Sequence, residues 1–319
     1  MRRHDSGVDP APAGGPARAT RSPDLSVVVG SIESERSIDR CLSSVERACR
    51  TLASELIVVD ASRDRTAERA RVRDDVTVVT RPPGTLVPDL WAEGIGRSKG
   101  RWVALTTGHC TVSPGWATAL TGALREGASG AGAGLRPNPD VGATDRAVFH
   151  LRYGAFLGLT GGVRRTVDDL PGDNAAYVGD ELRAFLEARP GRGFWEIEYH
   201  AEVRDRGGRL VAVPEATAGF GPAFPFGTIL HHRFVHGRHH GGWRVREDGQ
   251  SRWRVLLPAP LVPFVLLGRA ARRSLRHPEH RRSLLVGAAP FLALSAAWAA
   301  GEAVGAVDAD AAPRNGEAP

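Results

Sequence analysis

The chain has 319 residues, 42% of them hydrophobic and 24% charged, which is long enough for a real core and ordinary for a folded protein. Its net charge of +6 suits nucleic acid or anionic lipid, but the arginines crowd 244–254 and 269–282 among apolar runs without aromatic stacking platforms, which excludes nucleic acid and favours membrane lipids. Cys41, Cys49 and Cys110 have no metal-ligand spacing and make a poor disulfide framework, so a reducing compartment fits best.

Residues 1–23 hold Arg2 and Arg3 but no apolar run, so they read as a disordered leader and not as a signal peptide. From Leu25 short β-branched runs alternate with amphipathic stretches, the pattern of βα units on a largely parallel sheet. The first strand is 25–30, and Ser37 caps a helix whose apolar positions Ile38, Cys41, Leu42, Val45, Ala48 and Leu52 recur at helical spacing. Strand 55–60 ends in Asp60, with Thr66 opening the next helix; strand 76–80 runs into Arg81 and a helix through Leu90 and Ile95. Strand 102–107 precedes a helix that starts at Pro114-Gly115-Trp116. Because open α/β sheets bind ligands beyond the carboxyl ends of their strands, Asp60, Arg81 and the stretch Thr107, Gly108, His109, Cys110 are expected to line one crevice. Past Gly130 a mixed sheet edge is expected, then a loop over 171–177 that includes Asn174, helices over 178–187 and 196–206, and a strand at 210–214.

The runs ELIVVDASRDRTAERA, GIGRSKGRWVAL, CTVSPGWATAL and RDRGGRLVAVPEA, in this order and spacing, resemble family 2 glycosyltransferases over 25–220. The resemblance implies a GT-A fold, an α/β mixed sheet flanked by helices, over 24–225. It also implies inverting transfer of a sugar from a nucleotide-diphospho-sugar donor to an acceptor hydroxyl. Ser31, Glu33 and Asp60 would hold base and ribose, with Arg81, Gly108 and His109 beside them on the donor. Glu196 takes the place of the catalytic base that removes the acceptor's proton, with Glu198 the next choice. Asn174, and His232, Arg233 and Arg238 from a basic-aromatic stretch, are assigned to the diphosphate and acceptor.

One departure bears on the cofactor. The family's Asp-x-Asp would hold a divalent cation, Mn²⁺ or Mg²⁺, yet this chain has Thr106-Thr107-Gly108-His109-Cys110 there, with no carboxylate. Three accounts stay open: His109 helps hold a softer ion such as Mn²⁺, cationic side chains take the metal's place, or the protein binds a sugar nucleotide without turning it over, as a scaffold or weak enzyme.

The remaining chain divides into a basic linker at 226–254, membrane-associated apolar segments within 255–307 and a tail at 308–319. The run 255–268 is short, rich in proline and flanked by arginines, so it is expected in the interface, whereas 284–301 is just long enough to span. This places the chain at the cytoplasmic face of the membrane, where a lipid-linked acceptor would suit the site.

Overall fold

The computed structural model describes residues 22–222, 225–246 and 249–308. The leader expected over 1–23 lies outside them except for Ser22 and Pro23, and the tail expected over 308–319 except for Asp308.

Three βα steps and a fourth strand open the fold: β1 (Leu25–Ser31), α1 (Ile38–Cys49), β2 (Ser54–Asp60), α2 (Thr66–Arg71), β3 (Val76–Thr80), α3 (Val87–Arg97) and β4 (Trp102–Thr107). Then come β5 (Cys110–Val112), α4 (Trp116–Arg125), β6 (Gly130–Gly132), β7 (Leu135–Pro137), α5 (Ala143–Tyr153) and β8 (Arg165–Val167). The domain closes with β9 (Ala175–Val178), α6 (Gly179–Glu187), α7 (Glu196–Asp205), β10 (Leu210–Ala212) and β11 (Ala218–Phe220). Four helices follow: α8 (Phe226–Arg246), α9 (Arg252–Leu256), α10 (Val262–Arg276) and α11 (Arg281–Val307).

The main sheet has eight strands in the order β3, β2, β1, β4, β9, β6, β10, β8. Strands β1 to β4 pair in parallel, while β9 runs antiparallel to both β4 and β6. The C-terminal ends of β1, β2, β4 and β6 therefore share one edge. Alternate residues face opposite sides: Val27 and Val29 pack with α1 and α4, whereas Val28 packs with Trp91 and Ile95 of α3 and with Phe194 and Tyr199 beyond α6. Each fully buried valine contributes about 1.5–3 kcal/mol of transfer free energy. A small second sheet, β5, β11, β7, pins the chain after β4 to the end of the domain.

Two local expectations change. Ser37 stands at the N-cap of α1 without capping it, because its hydroxyl donates to Ser34 O at 3.3 Å. The stretch expected as a linker is the 21-residue helix α8 from Phe226 to Arg246. Its histidines and arginines hid the helical pattern, since α8 buries glycines and not an apolar stripe: Gly237 and Gly241 face α11, and Gly301 and Gly305 of α11 face back. A methyl group on any of the four would overlap a backbone carbonyl of the opposite helix, so the two backbones meet directly. Beside this seam Glu302 of α11 accepts from Arg244 of α8 at 2.6 Å.

The segments Arg252–Arg276 and Pro278–Val307 are each long and apolar enough to cross a membrane. One face of α11 is nonetheless committed to the domain: Leu284, Phe291 and Leu294 join the main core, and Gly287 abuts the backbone of α5 at Ala147. What stays uncovered is an apolar strip with Trp253, Leu257, Leu261, Phe264 and Leu285.

Candidate active site

The edge where β1, β2 and β4 end is closed by short side chains. Asp60 is buried at the end of β2 and accepts from Ser62 Oγ at 2.6 Å and Ser62 N at 3.3 Å. Burial raises its pKa and the Ser62 bonds draw it back only in part. Glu33, at φ 48°, takes the Ser62 hydroxyl on its backbone N–H at 2.7 Å and offers its carboxylate to Arg63 N at 2.9 Å. The loops after β1 and β2 are thus clipped together by the acids expected to hold a ligand. Gly108 follows β4 where a Cβ would meet Ser34 Oγ at 2.6 Å and Ser31 Oγ at 2.7 Å.

His109 is buried behind this edge. Its ring nitrogens stand 3.5 Å from Ser34 Oγ and from Ser37 Oγ, and burial, helped by the nearby Arg152 charge, lowers its pKa to about 4. It is therefore a neutral wedge between α1 and the turn after β4.

Across the edge stands a charged cluster. Asp173, in the single helical turn before β9, is 3% exposed and accepts from Arg152 at 3.0 Å and from the Tyr153 hydroxyl. Glu196 begins α7 next to it. An added Cβ at Gly172 would meet the Trp91 ring at 2.8 Å and the Glu196 carboxyl carbon at 3.2 Å, so the missing side chain makes room for that carboxylate. The start of a helix favours the ionised form of an acid, and a backbone N–H supports it here. Burial outweighs both, and with Asp173 nearby the pKa of Glu196 is raised despite Arg152. Glu198 instead pairs with Arg192 at 2.9 Å.

Asn174 leaves the expected site. Its Oδ1 accepts from Trp116 Nε1 at 2.6 Å, and its Nδ2 donates to Ala133 O at 3.1 Å and Ala216 O at 3.0 Å. With the amide spent on three chain segments, it fastens the sheet and offers nothing to a diphosphate.

Helix α8 lies over the cluster. His232 is within electrostatic reach of Glu33 and Arg63, and Arg233 and His236 are within that of Arg152. Arg238 points elsewhere, to Asp308 at 3.8 Å. Arg81 also departs from the expected crevice: its side chain pairs with Glu93 of α3 and lines a groove of about 660 Å³ between α3, α6 and the 189–192 turn. Sequence reading missed Arg152, Tyr153, Asp173 and His236. The Asp173-Asn174 pair was the available signal, but in the helical turn of 172–174 the two side chains leave in different directions, and only the folded structure shows which joins the charged cluster.

The residues after β4 do not fit a divalent cation. Thr107, Gly108 and buried neutral His109 bring no carboxylate, the Cys110 thiol is pushed up to about 12 by burial, and no group of three or more His, Cys, Asp or Glu suited to a metal occurs among the described residues.

Residues 26–177 match the family described as Glycosyl transferase family 2. No curated protein matches it in sequence. Among solved structures, the mannosyltransferase PcManGT from Pyrobaculum calidifontis in complex with GDP-Man and Mn²⁺ is similar at 15% identity with a TM-score of 0.50, covering 90% of this chain and 88% of that one. GalNAc-T7 with UDP, GalNAc and Mn²⁺ is similar at 17% identity and a TM-score of 0.46; the match covers 64% of this chain and 44% of GalNAc-T7. The fold is the mixed α/β, GT-A-like one, with long apolar helices at its C-terminal end.

Proposed function

We propose that this chain, whose residues 26–177 match the family described as Glycosyl transferase family 2, transfers a sugar with inversion from a nucleotide-diphospho-sugar to an acceptor hydroxyl. The supporting observation is the Glu196 carboxylate, held against Gly172 at the ligand edge with its pKa raised by burial. In the transfer, Glu196 takes the acceptor hydroxyl's proton, the acceptor oxygen forms its bond to the anomeric carbon, and the bond from that carbon to the diphosphate oxygen breaks. A raised pKa suits a base, because a more basic carboxylate takes the proton with greater driving force. Trp195 and Ile197 are exposed on either side of Glu196, which gives an acceptor an apolar rest beside the base. No step is routed through a metal.

The exposed apolar residues of α9 to α11, with the exposed Arg252, Arg254, Arg269 and Arg272 on the same helices, support seating on anionic lipid at the cytoplasmic face. A lipid-linked acceptor follows from that placement. The test of the transfer is Glu196→Gln. It should retain donor affinity and lose at least about a hundredfold in turnover, the lower range for a positioned base. A variant with more than about a tenth of the parent's turnover refutes the assignment. A second reading, a sugar-nucleotide-binding scaffold, is favoured by the Thr107-Gly108-His109 turn; it takes the lead if the parent binds nucleotide and transfers nothing.

A further inference from the structure

We propose that Tyr177 of β9, His200 of α7 and Asp169 are positioning residues, a hydrogen-bonded line that sets the rotation of α7 and so aims the Glu196 carboxylate. The inference rests on the sugar-transfer reading and adds what fixes the base in place. The Tyr177 hydroxyl stands 2.9 Å from His200 Nε2, and His200 Nδ1 stands 3.3 Å from Asp169 Oδ1. Tyr177 and His200 are fully buried, and Asp169 is the end that reaches the surface. A carboxylate only accepts, so Asp169 places the ring proton on Nδ1, which leaves Nε2 bare to accept from the Tyr177 hydroxyl. Burial keeps the ring neutral, its pKa lowered although Asp169 opposes the shift. The line therefore has one direction and one tautomer.

It matters for Glu196 because it joins the three elements that meet there. His200 lies one turn after Glu196 on the same face of α7, where side chains four apart have Cβ atoms about 5–6 Å from each other. Asp169 belongs to the segment that continues into Gly172 and Asp173, the residues against which Glu196 is set. One turn further along α7, Arg204 returns to the same carboxylate at 3.3 Å and donates to Asp168 O. The rest of the seat is aromatic, with Tyr177, Phe185, Phe194 and Tyr199 in contact at centroid distances of 5.1 to 6.1 Å. Those rings hold α7 chiefly by burial, whereas a directional bond to a helix side chain is lost when the helix turns. Losing it would leave buried polar atoms unpaired, so α7 is kept to one setting. A misplacement of about 1 Å at a reacting group costs on the order of a hundredfold in rate.

The experiment is turnover of the full chain on GDP-mannose, UDP-glucose and UDP-N-acetylgalactosamine with octyl glucoside as the acceptor, donor hydrolysis included. Nitrogen NMR of histidine-labelled protein accompanies it, with His200→Gln assigning the ring. Tyr177→Phe keeps the ring and removes the hydroxyl; kcat should fall by about tenfold or more while donor KM stays within about twofold. Asp169→Ala should act alike, and Asp169→Asn, which keeps an oxygen acceptor, should recover most of the loss. With Glu196→Gln already in place, Tyr177→Phe should change the residual turnover by less than about twofold, because no base is left to aim. Tyr199→Phe, whose hydroxyl meets Arg206 at 3.5 Å, should leave turnover unchanged. The His200 proton should be on Nδ1. Unchanged kcat in Tyr177→Phe, an equal loss with and without Glu196, or a proton on Nε2 overturns the proposal. Full turnover in Glu196→Gln removes the base reading and its positioning together; loss in Glu196→Gln with none in Tyr177→Phe removes the positioning alone. In a parent without turnover on any of these donors the ring decides: a proton on Nε2 removes the line, and one on Nδ1 keeps it while the transferase reading falls.

Discussion

Gly301→Ala tests whether α8 is held by direct backbone contact with α11. In an exposed helix interior the change from glycine to alanine stabilises by up to about 1 kcal/mol, because the unfolded chain loses freedom. Gly268, in α10 with nothing within 4 Å of an added Cβ, should show that gain. At Gly301 the same methyl would lie 2.9 Å from Phe234 C and 3.0 Å from Arg238 N, and closer still to the Phe234 carbonyl oxygen. Carbon contacts settle at about 3.5–4.0 Å, so the helices must part by about 1 Å along the seam. Overpacking of this kind costs about 1–3 kcal/mol, which exceeds the propensity gain. The expected result is a fall in urea midpoint for Gly301→Ala and a rise for Gly268→Ala, with equal denaturant slopes. Stabilisation of similar size in both variants would refute the close seam.

Three further outcomes are expected. Asn174→Ala leaves the buried Trp116 N–H and the Ala133 and Ala216 carbonyls without partners, and should cost on the order of 3 kcal/mol or more in denaturation while the folded fraction keeps its nucleotide affinity. His109 is neutral above pH 6.5 in both states, whereas below it the unfolded chain takes a proton that the folded chain refuses until about 4. His109 should contribute about 3 kcal/mol to the drop in stability as pH falls through that window, with His150, His200 and His236 adding to it, and His109→Gln should make the slope shallower by that share; an unchanged slope contradicts the buried neutral ring. Leu257→Glu and Phe264→Glu should each lower partition into anionic vesicles by about tenfold, as loss of one buried apolar side chain implies; a parent that does not float with such vesicles defeats the lipid-surface reading.

The linear order of charge and apolarity determined a good deal by itself. The β-branched runs at 25–30, 55–60, 76–80 and 102–107 read as buried parallel strands because both faces of each must be apolar, and all four are strands. The ends of those strands place Asp60, Gly108 and His109 at one edge for the same reason, and the register pairs Ser31 with Asp60. Glu196 at the start of its helix was also legible, since the acids Glu196 and Glu198 lead the stretch and Gly207 ends it.

Tertiary packing decided the rest. Asn174 is polar in a loop, and only three buried partners converging from Trp116, Ala133 and Ala216 reveal that its amide is spent. Arg81 and Arg238 look equivalent to Arg233 in sequence, yet the first two find carboxylates on α3 and at Asp308 while Arg233 meets the Trp298 ring. Helix α8 carries almost no apolar period, because glycines let it lie against α11 through its backbone, an attraction that hydrophobic patterning does not register. Helices α5 and α8 are both packed by α11, through contacts that exist only once the chain has folded.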